Sequence, residues 1–593
     1  MRTALAFLFL TLTLHAADND AILPPLIPWN GASRALVVPA NDPWITPSET
    51  TGLKATPTYD ETFAYLRRLV AAAPQLRMVS LGKSPEGRDI WMVIASKERA
   101  FTPEALRRGG KPTVFAQAGI HAGEIDGKDA GLMLLRDMTV RGTKRDLLDG
   151  ANFLFVPIFN TDGHERVSRY SRVNQRGPDP SGWRTNARNL NINRDYMKAD
   201  SAEMQAMLRA LNSWQPDLYV DLHVTDGADY QYDVTYGWNG RWAHSPAIAT
   251  WLDKTLRPAT DVALRTAGHI PSPLIFTDDP ATAGLIDAAS DPRFSTGYGD
   301  ARHLPVVLVE NHSLKPYDQR VLGMYVLLES FLRTVGSNAG SLRAAVNSDR
   351  ATRPATVPVA WRVPADQNDT VEVLGVASRR TLSGVSGDVK TEWLGQPITT
   401  RAPFRRASEA TATVPRAKAY WVPSSWPEII ERLDLHGIQY ERIAAPRDVD
   451  VEMYRFDEPT FATPQFEGRV RVTAPARAER RRERFPAGSV RVPTDQPLGT
   501  LAVLLLEPSA PDSFFQWGFF DSILAVTEYI EGYIIEPMAE RMLADDPKLA
   551  AEFHEKIAND PAFRGDPRAR LQWFYQRTPW YDERARLYPI GRE

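Results

Sequence analysis

The 593-residue chain contains no cysteine. That absence excludes disulfides, cysteine-ligated zinc and thiol nucleophiles, so any transition metal has to sit on His, Asp or Glu. It also removes lipidation of a mature N-terminal cysteine as an anchoring route. An excess of charge of one sign is missing too. Seventy basic residues face 73 acidic ones, and the formal net charge of -3 addresses the chain neither to nucleic acid nor to an acidic membrane. The apolar runs at residues 4–14 and 501–506 both fall short of the roughly 20 residues that a bilayer span requires.

The remaining composition is globular, with 43% hydrophobic and 24% charged residues. One hydrophobic core stops growing near roughly 250 to 300 residues, so two or three domains are expected. Met1 and Arg2 precede the apolar stretch 4–14, which ends at Ala16 and Ala17 before Asp18. This is the layout of a secretory signal, predicted to span residues 1–17 and to be removed near Ala16 or Ala17, giving a secreted or periplasmic protein without a stable membrane anchor.

Residues 18–52, rich in Pro, Asn and Thr, read as an N-terminal arm. Phe63, Leu66, Leu69 and Val70 then recur at helical spacing, and MVSLG and DIWMVIAS read as strands. Further on, the strands PTVFAQAG, ANFLFVPIF, DLYVDLH and LPVVLVE alternate with helices over 127–138, 202–211, 247–256 and 318–334. Such alternation predicts an α/β domain over 53–340, its mostly parallel or mixed sheet covered on both faces. Residues 341–480 read as β-rich, with a small antiparallel module over 355–415 and a capped helix at 425–435; residues 481–593 read as an α+β region. LAVLLL at 501–506 is predicted to be a buried strand. The arginine-rich run 477–484, interrupted by acids and lacking an aromatic ladder, reads as a solvated loop rather than a nucleic-acid surface.

Three strand tips carry candidate chemistry: His121 and Glu124 within HAGEIDG, His223 closing DLYVDLH, and Glu310 closing LPVVLVENH. Two histidines and a glutamate are an established ligand set for one catalytic zinc ion, with a second carboxylate free to move a proton. The HExxH string, which places two zinc ligands on one helix, is absent. Taken singly, each residue has a bland account as a surface pair or a satisfied strand end. Asp221 lies two residues before His223, where it can orient that ring.

In their order and spacing the motifs HAGE, FVPIFNTDGHE, WRTNARNLNINRDY, DLH and VVLVENH resemble the zinc carboxypeptidase family of metallopeptidases, through residues 55–335. The resemblance implies a peptide substrate and a role for each residue. Glu310 would be the general base, Arg184 would stabilise the oxyanion, and Asn193 with Arg194 would grip the substrate's terminal carboxylate. The family's closing tyrosine has no clear counterpart. Tyr298, on a loop expected to move on Gly297 and Gly299, is the nearest candidate, and Tyr236 is a second. His312, Lys315 and Tyr317 flank the base and by default read as packing. Two rival readings stand beside the exported carboxypeptidase: a zinc amidohydrolase of small N-acyl amino acids, and a noncatalytic binding protein on the same scaffold. Oligomeric state, side-chain preference and the role of residues 341–593 are not set by these motifs.

Overall fold

Thr58 opens the first long helix of the computed structural model, α1 (Tyr59–Ala72), through a capping box with Glu61, and its apolar stripe buries Phe63, Leu66 and Leu69. The structure describes residues 22–593, so the expected signal segment lies outside it. The strands that follow are β1 (Leu76–Lys83), β2 (Asp89–Ala95), β3 (Thr113–Ala118), β4 (Asn152–Val156), β5 (Leu218–Thr225), β6 (Val234–Gly237), β7 (Pro271–Ser272), β8 (Leu285–Ala288) and β9 (Val306–His312). Eight of them form one mixed sheet in the order β1-β2-β4-β3-β5-β9-β6-β7.

At its centre β4, β3, β5 and β9 run parallel, flanked by antiparallel β2 and β6. Every residue of β3 and β4 is buried, which explains why these strands show continuous apolar runs rather than alternation. This is the expected α/β architecture.

The covering helices include α2 (Asp126–Met138), α3 (Ala202–Trp214), α4 (Ser295–Ala301) and α5 (Tyr317–Ala351). The helix expected at 247–256 continues through a π-helical turn, Leu252–Leu256, into Arg257–Thr266. Pro258 lacks the N–H needed to carry a regular ladder across that point. Helix α5 outruns its expected end. It is broken only locally at Asn338, and buried Leu342 and Val346 keep the last turns docked. Near its end the Asp349 carboxylate accepts from the Ala247 and Ile248 N–H groups at 3.1 and 2.8 Å, closing an exposed helix start.

The antiparallel module appears as two pairs, β10 (Thr356–Arg362) with β13 (Glu409–Pro415) and the long hairpin β11 (Thr370–Leu382) with β12 (Val389–Ala407). The end of β12 also pairs in parallel with β8, from Phe404 opposite Leu285 to Ala407 opposite Ala288. LAVLLL is not a strand: it lies in helix α6 (Gly499–Leu506), buried at every position. An apolar run this short carries no period to separate the two states, and its leucines favour the helix.

The chain forms two compact units. The first holds the described residues up to Ala417 together with Ile430–Tyr440 and Pro493–Ser513, and the second holds the rest. Within the second, the run 477–484 is no loop. It forms most of the strand Ala476–Phe485, paired antiparallel with Arg447–Phe456. Its arginines meet acids across the pair, Arg484 with Asp448 at 3.2 Å and Arg482 with Asp450 at 3.8 Å, so a charged strand face is tolerated in water.

Helix α2 approaches the sheet through glycines. A Cβ at Gly131 would lie 2.2 Å from Cζ of the buried Phe155 ring, and one at Gly127 would lie 2.6 Å from the more pliable Leu222 Cδ1. Alanine gains about 1 kcal/mol of helix propensity, but forcing this contact apart costs about 1–3 kcal/mol. Gly131→Ala should therefore lower stability in chemical denaturation, and by more than Gly127→Ala does.

Candidate functional site

Parallel pairing sets the site. His223 stands directly opposite Glu310 in the β5–β9 register, and β3 ends at the same edge beside β5. After β3 the chain turns at Gly119, where φ is +70°, and the Glu124 N–H donates to the His121 carbonyl at 2.9 Å. Gly123 is required here, because a Cβ would sit 2.6 Å from Arg172 Cγ and 2.7 Å from the Gly182 carbonyl oxygen. This tight turn presents His121 and Glu124 together just ahead of α2.

The three side chains converge. The imidazoles of His121 and His223 lie edge to face with centroids 4.9 Å apart. Glu124 sits between them, Oε1 3.0 Å from His121 Nδ1 and Oε2 3.0 Å from His223 Nδ1. The far nitrogens are held as well. His121 Nε2 lies at hydrogen-bond distance, 2.9 Å, from Asn191 Oδ1, and His223 Nε2 lies 3.0 Å from Asp221 Oδ1 in an ion pair without hydrogen-bond geometry. All three are buried, and one donor atom from each can be chosen so that all lie within 4.8 Å of one another. His121 Nδ1 makes no hydrogen bond despite its burial, because the approach to Glu124 lacks the geometry. Two nitrogens and a carboxylate that face one another, with the outer nitrogens anchored, fit a zinc ion.

The electrostatics are those of a network of paired buried charges. Burial pushes His121 down to about 4 against the pull of Glu124, which leaves its ring neutral. Burial also opposes charge on His223 and Glu124. It is overcome there, by Asp221 and Glu124 acting on His223 and by His121 and Arg172 acting on Glu124, so the former is held well above and the latter well below its ordinary value. Burial pushes Glu310 up to about 8; His223 opposes this, and the Glu124 and Asp221 carboxylates add to it.

A cavity of about 510 Å³ opens over the cluster, lined by His121, Glu124, Arg184, Asn193, Arg194 and Glu310. His223 lies beneath it. The Arg184 Nη1 donates to Glu124 Oε1 at 3.1 Å from a side chain still 43% exposed. Arg194 lies over the Phe294 ring, 4.5 Å from its centroid, and donates to the Asn193 carbonyl at 2.8 Å. The structure thus brings seven of the eight candidate residues to one place.

Tyr298 is the exception and is corrected. It lies within α4, 1% exposed, its hydroxyl 2.8 Å from His436 Nδ1, and it does not line the cavity. Gly297 and Gly299 are close-approach positions inside that helix rather than hinges, since a Cβ would come within 2.2 Å of the Asp291 carbonyl oxygen and 2.1 Å of Val306 Cγ2. Tyr236 is also engaged elsewhere, through Asp261 at 2.6 Å. His312 stacks on Tyr230 at 4.1 Å outside the cavity, in keeping with packing.

Three contributors lie outside the candidate set read from the sequence. Arg172 contacts Glu124 Oε1 at 3.1 Å, Asn191 holds His121, and Phe294 supports Arg194. Asn191 alone had a signal, its place within NLNINRDY.

Residues 62–269 match the profile of the zinc carboxypeptidase family. The matched segment is a zinc carboxypeptidase domain. It is thereby a metallocarboxypeptidase-type hydrolase. Among its relatives are carboxypeptidase 2 of Trichophyton tonsurans and of Trichophyton rubrum, each 25% identical over 78% of this chain and 84% of theirs. A solved metallo-carboxypeptidase from Burkholderia cenocepacia aligns at a TM-score of 0.34 and 19% identity, over 47% of this chain and 69% of that one. Glu310 lies beyond the matched segment, placed by its register beside His223.

Two measurements test the supports. Asp221→Asn should weaken zinc binding by about 10–100-fold in chelator competition, because the His223 ring loses a charged anchor. The second concerns Glu203, whose two carboxyl oxygens accept from Asn186 Nδ2 at 3.3 Å, while Asn186 Oδ1 takes the Arg188 and Leu190 N–H groups and so shapes the turn between Arg184 and Asn193. Burial raises Glu203 to about 7. A raised carboxyl contributes full stability below its unfolded value and loses it as pH climbs through the folded one, here between about 4.5 and 7. Glu203→Gln should match the parent near pH 5 and exceed it by about 1–3 kcal/mol at pH 8 in denaturation curves.

Proposed function

We propose that the chain is an exported zinc metallocarboxypeptidase that removes single residues from the C-termini of peptides, with residues 53–340 as its catalytic domain. The observation that carries this reading is the shared cavity: Glu310 lies beside the ligand cluster, while Arg184, Asn193 and Arg194 line the same space. Zinc held by His121, Glu124 and His223 would supply a Lewis acid that activates water and polarises the scissile carbonyl.

Glu310 takes a proton from the attacking water and returns it to the leaving amine, a task suited to a carboxyl whose affinity for protons is raised by burial. Arg184, exposed enough to turn into the cavity, meets the oxyanion. The Arg194 guanidinium, steadied on Phe294, and Asn193 receive the terminal carboxylate. Ile286, Leu308 and Phe294 form an apolar stretch of wall, which favours an apolar terminal side chain. Export is supported by the N-terminal signal pattern, and among the described residues no helix is long and apolar enough to cross a membrane.

The test is release of free amino acids from peptides that differ only at the C-terminus. Peptides ending in leucine or phenylalanine should be trimmed, and their C-terminal amides should not. Glu310→Gln should retain bound zinc and lose about 10²–10⁴-fold in kcat. Equal turnover of acids and amides, or full activity in the variant, would contradict the assignment.

A further inference from the structure

Away from the cleft, a second cavity of about 240 Å³ is lined by Arg302, Arg350, Asn212, Gln215, Gln439 and Leu498 among others. Neither arginine has a carboxylate partner among the described residues. Arg302 is 7% exposed and spends its donors on the Asn212 side-chain oxygen at 2.8 Å and the Tyr298 hydroxyl at 3.3 Å. Arg350 stands near the end of α5. Its guanidinium makes no hydrogen bond or ion pair with any described residue, and its Nε is fully buried.

The acid whose charge acts on it is already engaged. Asp217 is already clamped by Arg343 through contacts of 2.6 and 3.1 Å. The end of α5 favours a cation too weakly to offset the burial of an unpaired guanidinium. Burial and then Arg302 pull Arg350 below the usual arginine range. Neighbouring His303 is likewise held down to about 3, by burial first and then by His244 and several cations that include Arg350.

We propose that this cavity is a binding site for a small oxyanion, inorganic phosphate or a small carboxylate, which supplies the missing negative charge to Arg350 and Arg302. Planar guanidinium forks suit oxygen anions of either kind. The other polar side chains of the lining are uncharged amides, which bring no competing charge. None of these residues lines the catalytic cleft.

Arg350 is the residue to vary, because Arg302 also holds Tyr298 in place and its loss would confound folding with binding. Calorimetric titration of the zinc-loaded full chain with phosphate, and separately with acetate, at ionic strength matched by sodium chloride, should give saturable binding for at least one. Tighter binding of one names the source. Arg350→Gln should weaken that binding by roughly tenfold or more, and Arg350→Lys, which keeps the charge but not the fork, by less. With its unpaired buried charge gone, Arg350→Gln should also melt no lower than the parent in chloride alone. The idea is overturned if neither anion saturates. It is equally overturned if both variants bind within twofold of the parent, since the anion would then sit at the metal cleft.

Discussion

The Glu124 carboxylate is the point on which the site rests. It is 2% exposed, and an ionised carboxylate taken that far from water costs several kcal/mol unless its lone pairs are met. Here they are met by hydrogen bonds from the His223 imidazole at 3.0 Å, the Val224 N–H at 3.1 Å and Arg184 at 3.1 Å, with Arg172 paired at 3.1 Å and the His121 ring 3.0 Å away. These groups arrive on the turn after β3, on β5 and on the stretches that carry Arg172 and Arg184. The segments cannot drift independently without leaving the charge bare, so the residue that would bind the metal also locks the loops that surround it.

That lock works because the backbone has done the coarse positioning already. Parallel strands place equivalent residues at one edge, so His223 and Glu310 become neighbours across 87 positions of sequence without any loop having to fold precisely. The β3 tip needs more adjustment, and a positive-φ glycine and a close-approach glycine provide it. Helix α2 then starts at once and is pinned to the sheet by Gly127 and Gly131, so the turn carrying His121 and Glu124 has rigid structure on both sides.

The same physics explains what could be read from the chain. The buried strands and long helices up to residue 334 announce themselves by period and run length, and His121, Glu124, His223 and Glu310 stand at strand tips, where position implies direction. Arg172 could not be read that way. It lies in an irregular arginine-rich segment, and only the three-dimensional path brings it to Glu124. Tyr298 misled because glycines on both sides suggest mobility, whereas here they admit the Asp291 backbone and the Val306 side chain against a buried helix. LAVLLL and the run 477–484 failed for opposite reasons: one is apolar all round and has no face, while the other hides its face because its exposed charges are answered by a partner strand.

The wall of the cleft has a different origin from its floor. The ligands lie within the family-matched residues 62–269, whereas Ile286 sits on β8, outside that segment. Strand β8 is held by four consecutive parallel pairs with the end of β12, and Gly284 just before it meets Pro403 so closely that a Cβ would lie 1.9 Å from its carbonyl oxygen. The hairpin reaches further. Gln231 donates to the Gly375 and Ile398 carbonyls at 2.9 and 2.8 Å, and the Leu374 N–H donates to the Tyr232 hydroxyl at 3.0 Å, so it also braces the segment that follows β5. The cluster and the cavity wall are thereby held by separate parts of the chain. His121, Glu124 and His223 are constrained by a charge that has to stay covered, while Ile286 on the cavity wall hangs on a hairpin whose length and sequence can change without uncovering Glu124.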